Sequence, residues 1–185
     1  MKTYEFTLVL DSSGGVSDKL EDALFEAGCD DALLSFRNGI AFLDFDREAD
    51  NLEKAVISAI HQVEQTGLPL SVKRVEPSDF VTSAEMARRL HRSKQSVQQI
   101  ISGGRGDGSF PLPIAGVTAK TMLWSWQEVV GWFLDKNKLA DKSIYENATS
   151  LKQLNESLDA RNNEAQIKSI RRITKLIKKG RSEFV

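Results

Sequence analysis

The sequence is poor in the residues that build metal centres and catalytic sites. It contains one cysteine, Cys29, and two histidines, His61 and His91, among 185 residues. A single cysteine cannot close an internal disulfide, which is typical of proteins in a reducing compartment. The histidines lie in different predicted elements, and no metal-ligand, phosphate-loop or nucleophile pattern accompanies them. We therefore expect no catalytic residue, no metal and no cofactor, and we do not expect an enzyme.

Long apolar runs are also missing. No stretch of eighteen apolar residues could span a bilayer, and the first residues lack the basic start and apolar centre of a secretion signal. Hydrophobic residues make up 41% of the chain and charged residues 28%, which are shares typical of globular proteins. These features predict a cytoplasmic protein with no membrane partner.

The net charge of −1 conceals an uneven distribution of charge along the chain. Residues 1–75 carry 7 basic and 14 acidic residues, residues 76–139 carry 8 and 6, and residues 140–185 carry 10 and 6. The three net charges are therefore −7, +2 and +4. Because a polyanion is attracted to positive charge, the sequence predicts that any contact with nucleic acid is made by the second half.

Extended segments and amphipathic helical segments alternate over residues 1–76. The hairpin pattern Asn38-Gly39 joins two of the extended segments, and Ser17 is a candidate N-cap for the first helix. The predicted order is strand, helix, strand, strand, helix, strand, at residues 4–10, 17–27, 32–36, 40–45, 51–65 and 68–75. This βαββαβ order predicts a ferredoxin-like domain, in which two helices cover one face of a four-stranded antiparallel sheet.

The other face of this sheet is expected to be open. Residues 38–45 resemble the RNP1 strand of RNA-recognition domains in their glycine, alanine, phenylalanine, aliphatic and final aromatic positions. However, Asn38 replaces the leading basic residue, Ile40 replaces the first stacking aromatic residue, and the −7 charge would repel a phosphate backbone. We therefore expect the exposed row with Ile40 and Phe42 to pair with another subunit or protein, which favours a homodimer.

Residues 80–102 contain two short helical patterns with a tight connection between them. Thr82 and Ser83 are N-cap candidates for a helix that ends near Leu90, and Ser93 can cap a second helix that runs to about residue 102. Ala87 provides the small residue that a helix-turn-helix needs where its helices cross. His91 stands in the tight connection, so we expect either an unusual backbone angle there or a remodelled turn.

The second of these helices has a polar outer face. Its apolar residues, Val97, Ile100 and Ile101, fall on one side at 100° per residue, so its glutamines must point outward. Glutamine can bond adenine through two atoms, whereas lysine holds phosphates. This pattern predicts a DNA-recognition helix, with an ordinary solvated helix pair as the alternative. The candidate DNA-binding residues of the whole chain are Ser83, Arg88, Arg92, Ser93, Lys94, Gln95, Ser96, Gln98, Gln99, Ser102, Arg105, Lys120, Lys168, Arg171, Arg172 and Lys175.

A wing and a third helix are predicted next. Pro111 and Pro113 restrict residues 109–114 to an edge strand, because proline cannot donate to a central ladder. The chain then turns and returns over residues 122–124. Ser125 and Glu128 form a capping-box pattern at the start of a helix. The apolar side of that helix carries Trp126, Val129, Val130 and Phe133.

This middle third resembles the MerR/excisionase class of winged helix-turn-helix proteins, and in detail the AlpA-like regulators of phages and mobile elements. The residues that carry the resemblance are Ala87, Leu90, Ser93, Val97, Phe110-Pro111-Leu112-Pro113, Trp124-Ser125, Glu128-Val129 and Trp132. The resemblance implies a winged helix-turn-helix fold and binding to double-stranded DNA.

Residues 140–185 end the sequence with a helical, basic tail. Residues 140–150 are polar and predicted to be irregular, and a helical pattern with Leu151, Leu154 and Leu158 follows them. A second amphipathic run places isoleucines on one face and basic residues from Lys168 to Lys179 on the opposite face. This basic face is expected either to contact phosphates or to be a solvated surface.

The sequence therefore predicts an α+β protein with a ferredoxin-like oligomerisation domain at 1–76, a winged helix-turn-helix domain at 80–139 and a helical tail at 140–185. The function expected from this arrangement is sequence-specific binding of double-stranded DNA and regulation of transcription, as a homodimer. Two alternatives remain open. One is a protein-interaction adaptor with a degenerate winged helix, and the other is a single-stranded RNA binder that uses the open sheet. Whether a small-molecule effector binds is open as well.

Overall fold

The structure, a computed structural model, describes residues 1–11, 19–104 and 108–182. Its fold is α+β, as the sequence predicts. The first part of the chain builds a four-stranded antiparallel sheet in the order β2-β3-β1-β4. Its strands are β1 (Lys2–Asp11), β2 (Ala32–Arg37), β3 (Ile40–Ala49) and β4 (Ser71–Glu76). The predicted strand order along the chain is confirmed, although β3 is longer and β4 begins later than expected.

Two helices connect these strands. Helix α1 (Leu20–Glu26) lies between β1 and β2 in the sequence, and α2 (Leu52–Glu64) lies between β3 and β4. The hairpin between β2 and β3 turns through Asn38 and Gly39, whose φ angles are 53° and 79°. Alternate residues of β1 and β3 are buried, because side chains on a strand point to opposite faces. They pack with the apolar side of α2, so one face of the sheet is covered. The predicted cap at Ser17 lies outside the described residues.

The middle of the chain forms a small helical unit around a two-stranded ribbon. In this ribbon β5 (Phe80–Val81) pairs with β6 (Trp124–Ser125). The unit's helices are α3 (Ser83–Arg89), α4 (Lys94–Ile101) and α5 (Trp126–Asp135). Ser125 accepts a hydrogen bond from the backbone of Glu128, so the predicted start of α5 is confirmed. A separate apolar core joins α3, α4, α5 and the ribbon.

The prediction of an edge strand at residues 109–114 is wrong. These residues lack regular strand pairing, and the loop closes through a bridge between Ala115 and Leu123. Pro111 and Pro113 explain the difference, because neither can donate a backbone hydrogen bond to a neighbouring strand. The strand that pairs beside α5 is β5, which precedes α3 in the sequence.

The prediction of an irregular segment at residues 140–150 is also wrong for most of its length. Helix α6 (Ser143–Asn162) occupies this segment from Ser143 onward, and α7 (Glu164–Ser182) follows after Asn163. Helix α6 joins the two parts of the protein. Its residues Leu151 and Leu158 belong to the first core, and Ala148 belongs to the second. No helix among the described residues is both long and apolar enough to cross a membrane.

Candidate nucleic-acid interface

The turn between α3 and α4 is built from local hydrogen bonds. Thr82 caps α3 by accepting a hydrogen bond from the backbone N–H of Glu85 at 3.2 Å. At the other end, the N–H of Arg92 donates to the carbonyl of Ala87 at 2.9 Å. This pairing places His91 in the left-handed region, with φ 51°. The unusual backbone angle predicted for His91 is therefore confirmed, and it sets the direction in which α4 leaves the turn.

Helix α4 is anchored on one side and exposed on the other. The hydroxyl of Ser93 accepts a hydrogen bond from the backbone N–H of Ser96 at 3.1 Å, so the predicted cap is confirmed. Val97 and Ile100 are buried at 2% and 5% exposure, beside the α3 and α5 side chains of the same core. The opposite side carries amide and hydroxyl groups and a single charge, that of Lys94. We name this opposite side, residues Ser93, Lys94, Gln95, Gln98, Gln99 and Ser102, the glutamine face.

The candidate DNA-binding residues fall into four groups. Ten are exposed, namely Arg88, Ser93, Lys94, Gln95, Gln98, Ser102, Lys120, Arg171, Arg172 and Lys175. Four are half-buried, namely Ser83, Arg92, Ser96 and Gln99. Arg105 lies outside the described residues, and Lys168 is placed on α7 by its backbone. The structure therefore gathers one continuous group on α4 and places a second on α7.

Arg88 shares the carboxylate of Glu85 with Arg89 within α3. Its guanidinium donates to both carboxylate oxygens of Glu85, at 3.0 and 2.6 Å, and Arg89 donates to the same carboxylate at 2.8 Å. Hydrogen bonds from Arg88 and then Arg89 lower the pKa of Glu85 from 4.5 to about 2. Arg88 also borders a cleft of about 590 Å³ whose lining includes the acidic residues Asp44 and Asp46. Arg88 is thus less free to hold a phosphate than the sequence predicts.

Three basic side chains of this unit lie over aromatic rings of α5. Arg89 lies 5.2 Å from the ring centre of Trp126, Arg92 lies 5.0 Å from that of Phe133, and Lys138 lies 5.2 Å from that of Trp132. Arg92 also donates to the backbone carbonyl of Lys138 at 3.3 Å. Such cation–π contacts fix the positions of positive groups without neutralising them.

Lys138 is a candidate that the sequence argument missed. It is exposed, and its backbone carbonyl accepts the hydrogen bond from Arg92. It follows Asn137, whose φ of 52° ends α5 in the same left-handed manner as His91 ends α3. A basic residue directly after a predicted helix end could have identified it, because such residues complement the helix dipole.

The loop of residues 108–123 is tied to α5 at its start and free at its tip. The indole N–H of Trp132 donates to the hydroxyl of Ser109 at 3.0 Å, and the ring of Phe110 packs edge-on against Trp132. At the tip, Gly116 has φ 79°, and a Cβ there would meet the carbonyl oxygen of Thr121. Lys120 is exposed beside it. The loop also exposes apolar side chains, namely Leu112, Ile114, Val117 and Met122.

Over residues 1–11, 19–104 and 108–182, no cluster of three histidine, cysteine or acidic side chains could hold a metal ion. Comparisons with family models, with curated proteins and with solved structures found no significant match. The geometry of the chain itself is therefore the basis for a functional proposal.

Proposed function

We propose that the protein binds double-stranded DNA in a sequence-specific manner and regulates transcription, with α4 in the major groove. The observation that carries this proposal is the glutamine face. It presents three amide side chains on a short helix that Val97 and Ile100 anchor from below. Amides can both donate to and accept from base edges, whereas a face selected only for solubility is usually rich in charge.

The surroundings of α4 support a winged helix-turn-helix of the MerR/excisionase class. Ala87 is buried at 4% exposure under α4, and the left-handed residue at position 91 makes the turn short. The ribbon of β5 and β6 and the loop of residues 108–123 fit the position of a wing, with Lys120 at its tip. Lys94 and Lys120 would contact phosphates and position the helix, since lysine contributes affinity more than base discrimination.

The first part of the chain supports self-association. Its strand order β2-β3-β1-β4 with two helices on one face fits a ferredoxin-like arrangement. The uncovered face presents one aromatic ring, that of Phe42, beside the carboxylates of Asp44 and Asp46. A stacking surface for single-stranded RNA normally combines several rings with positive charge. This face therefore favours a protein partner, and we propose a second copy of the chain.

The test of the DNA proposal begins with selection of a preferred duplex from a random pool. Gln95→Ala and Gln99→Ala should each weaken binding to that duplex by about 1–3 kcal/mol, because each removes hydrogen bonds to base edges. Binding to an unrelated duplex should change little. Fluorescence anisotropy at constant salt would measure both affinities.

Gln153→Ala is the matched control, since Gln153 is an exposed glutamine on α6. It should leave both affinities unchanged. If all three variants bind the two duplexes as the parent does, α4 does not contact bases. If the α4 variants lose affinity equally for every duplex, the glutamine face contributes only to general binding.

A second candidate function is favoured by the exposed apolar side chains of the wing. Leu112 and Val117 are 82% and 70% exposed, and they lie near the single basic residue Lys120. A surface of this composition suits a protein partner better than a phosphate backbone. In that case the protein is an adaptor whose winged domain no longer binds DNA. Duplex affinity that is weak and insensitive to salt would favour the adaptor.

A further inference from the structure

Two surfaces of opposite charge lie at opposite ends of the chain, and both expose apolar side chains. The first is the uncovered face of the four-stranded sheet, which we name the open sheet face. The second is helix α7. Residues 1–75 have a net charge of −7, whereas the sequence of α7 contains 7 basic residues and 1 acidic residue, a net charge of +6.

The open sheet face divides into an apolar end and an acidic end. The strand register places Ile40 and Phe42 toward one end, beside Arg37 and Ser35 of β2, whereas Leu33 of β2 lies opposite Asp44 where the acidic end begins. Leu33 and Ile40 are 66% and 52% exposed. Asp44 and Asp46 continue the same face of β3 and are exposed. They lie opposite Thr7 and Glu5 of β1, so the acidic end extends onto the next strand.

Helix α7 has an apolar side and a basic side around its axis, which complement the apolar end and the acidic end of the open sheet face. At 100° per residue, Ile170, Ile173 and Ile177 fall on one side of the helix. These three side chains are 54%, 46% and 64% exposed, although they form an apolar stripe. The half-buried Ile167 extends the stripe on one side, so its centre lies near Ile170. Arg171 and Lys178 then lie about 100° or less from this centre and flank the stripe, whereas Arg172 and Lys175 lie about 150° from it and point away. An exposed stripe of this kind is typical of a helix that packs against a partner.

Electrostatic repulsion disfavours two of the three possible pairings between these surfaces. Pairing α7 with a second α7 brings together two helices of +6 each, and pairing two open sheet faces brings together two acidic surfaces. Pairing α7 with an open sheet face joins apolar to apolar and basic to acidic. The lengths also agree, since 19 helical residues span about 28 Å and the 10 residues of β3 span about 33 Å.

The same chain does not make this contact, because the apolar side chains of α7 are exposed. Helix α7 starts directly after Asn163 and packs mainly against the end of α6. Helix α6 is itself held along β4 by hydrogen bonds from Arg161 and Asn155. Any open sheet face that α7 contacts would therefore belong to another molecule.

We propose that α7 of one copy packs its isoleucine stripe on the open sheet face of a second copy, and that the contact is reciprocal in a two-fold dimer. Arg171 and Lys178 then face the acidic end of the partner sheet, while Arg172 and Lys175 remain on the outside. This inference specifies the self-association proposed above and is independent of how α4 contacts DNA.

The test uses charge reversal in the full chain, with mass measured by sedimentation in the absence of DNA. One variant carries Asp44→Lys and Asp46→Lys, and the other carries Arg171→Glu and Lys178→Glu. We expect the parent to be a dimer and each variant alone to dimerise at least about tenfold more weakly, since like charges then meet. A mixture of the two variants should form a mixed dimer, because each of its two contacts again joins opposite charges.

A third variant, which carries Ile173→Ser and Ile177→Ser, tests the apolar part of the contact without removing a side chain from either core, because both isoleucines are exposed. It should also reduce dimerisation. A monomeric parent, a sheet variant that dimerises as the parent does, or a mixture that stays monomeric would each overturn the proposal. Duplex preference of the Ile173→Ser, Ile177→Ser variant, measured in parallel, tests the DNA proposal separately, because neither isoleucine is part of the glutamine face or lines the cleft beside Arg88.

Discussion

At the scale of single residues, Glu85 connects the start of α3 to two arginines. Its backbone N–H is capped by Thr82, and its carboxylate accepts hydrogen bonds from Arg88 and Arg89. Arg89 is 14% exposed, lies over Trp126 and donates to the carbonyl of Ser78. The carboxylate of Glu85 therefore holds the nearly buried guanidinium of Arg89 between α3, α5 and the segment that follows β4.

The stability of the fold should depend on the ionisation of Glu85. Because its folded pKa is lowered from 4.5 to about 2, its contribution is complete above pH 4.5 and is lost as the pH falls toward 2. The shift sets an upper limit of about 3 kcal/mol, and partial exposure lowers the expected value to about 1 kcal/mol. Glu85→Gln should be less stable than the parent by this amount at pH 7.

The difference between Glu85→Gln and the parent should shrink when denaturant unfolding is repeated at pH 3. Asp50→Asn is a suitable control, since Asp50 forms an ion pair with Lys54 that is 65% exposed on each side. It should change stability little at either pH. A constant difference between Glu85→Gln and the parent from pH 7 to pH 3 would contradict the assigned role.

Some of these residue positions follow from the sequence and others do not. The sequence predicts an unusual backbone angle or a remodelled turn at His91, and the structure shows the first of these, with φ 51°. The stacking of Arg92 on Phe133 was not predictable, since it depends on where α5 lies in space. The same holds for Lys138 and Trp132, which are close only after the whole helical unit has formed.

At the scale of elements, α6 completes the sheet at its β4 edge. The side chain of Asn155 accepts a hydrogen bond from the N–H of Val75 at 2.8 Å and donates to the carbonyl of Val75 at 2.9 Å. Its amide thereby replaces the next strand of the sheet at this position. Arg161 adds bonds to Glu64 and to the carbonyl of Val72. Edge strands expose such unpaired groups and need cover of this kind.

Removal of the Asn155 amide should therefore destabilise the junction. Asn155→Ala leaves one donor and one acceptor of Val75 without a partner, which costs about 1–3 kcal/mol when such groups are partly buried. Gln153→Ala, an exposed amide on the same helix, should stay within about 0.5 kcal/mol of the parent. Chemical denaturation would measure both, and equal stability of the two variants would show that water satisfies the strand edge.

The elements were predictable where the local pattern is strong. The periodicity of α2 and the Asn-Gly hairpin indicated their positions, and both were confirmed. The start of α6 was missed because residues 143–150 are polar and only Ala148 of this segment is buried, in the core formed with α5. The strand β5 was missed because two residues form it, and its partner β6 lies more than forty residues later.

At the scale of the whole molecule, the charge separation seen in the sequence becomes a spatial one. Helix α6 packs into both cores, so the acidic sheet and the helical unit are linked through it. Helix α7 extends beyond them, and none of its described side chains is fully buried. Both cores should therefore survive when α7 is removed, which makes its electrostatic contribution measurable.

A chain that ends at Asn163 loses 7 basic and 2 acidic residues. If three of the basic residues contact phosphates, the slope of log affinity against log salt should flatten by about 2.7, since each lost contact removes about 0.9. Preference among duplexes should persist, because the glutamine face is intact.

The full chain with Arg172→Gln and Lys175→Gln separates phosphate contact from the proposed dimer contact, since both residues point away from the isoleucine stripe. It should flatten the slope by about 1.8 while sedimentation still shows the parent assembly. An unchanged slope in both proteins would mean that the basic side of α7 is only solvated and that α4 and the wing account for all phosphate contacts.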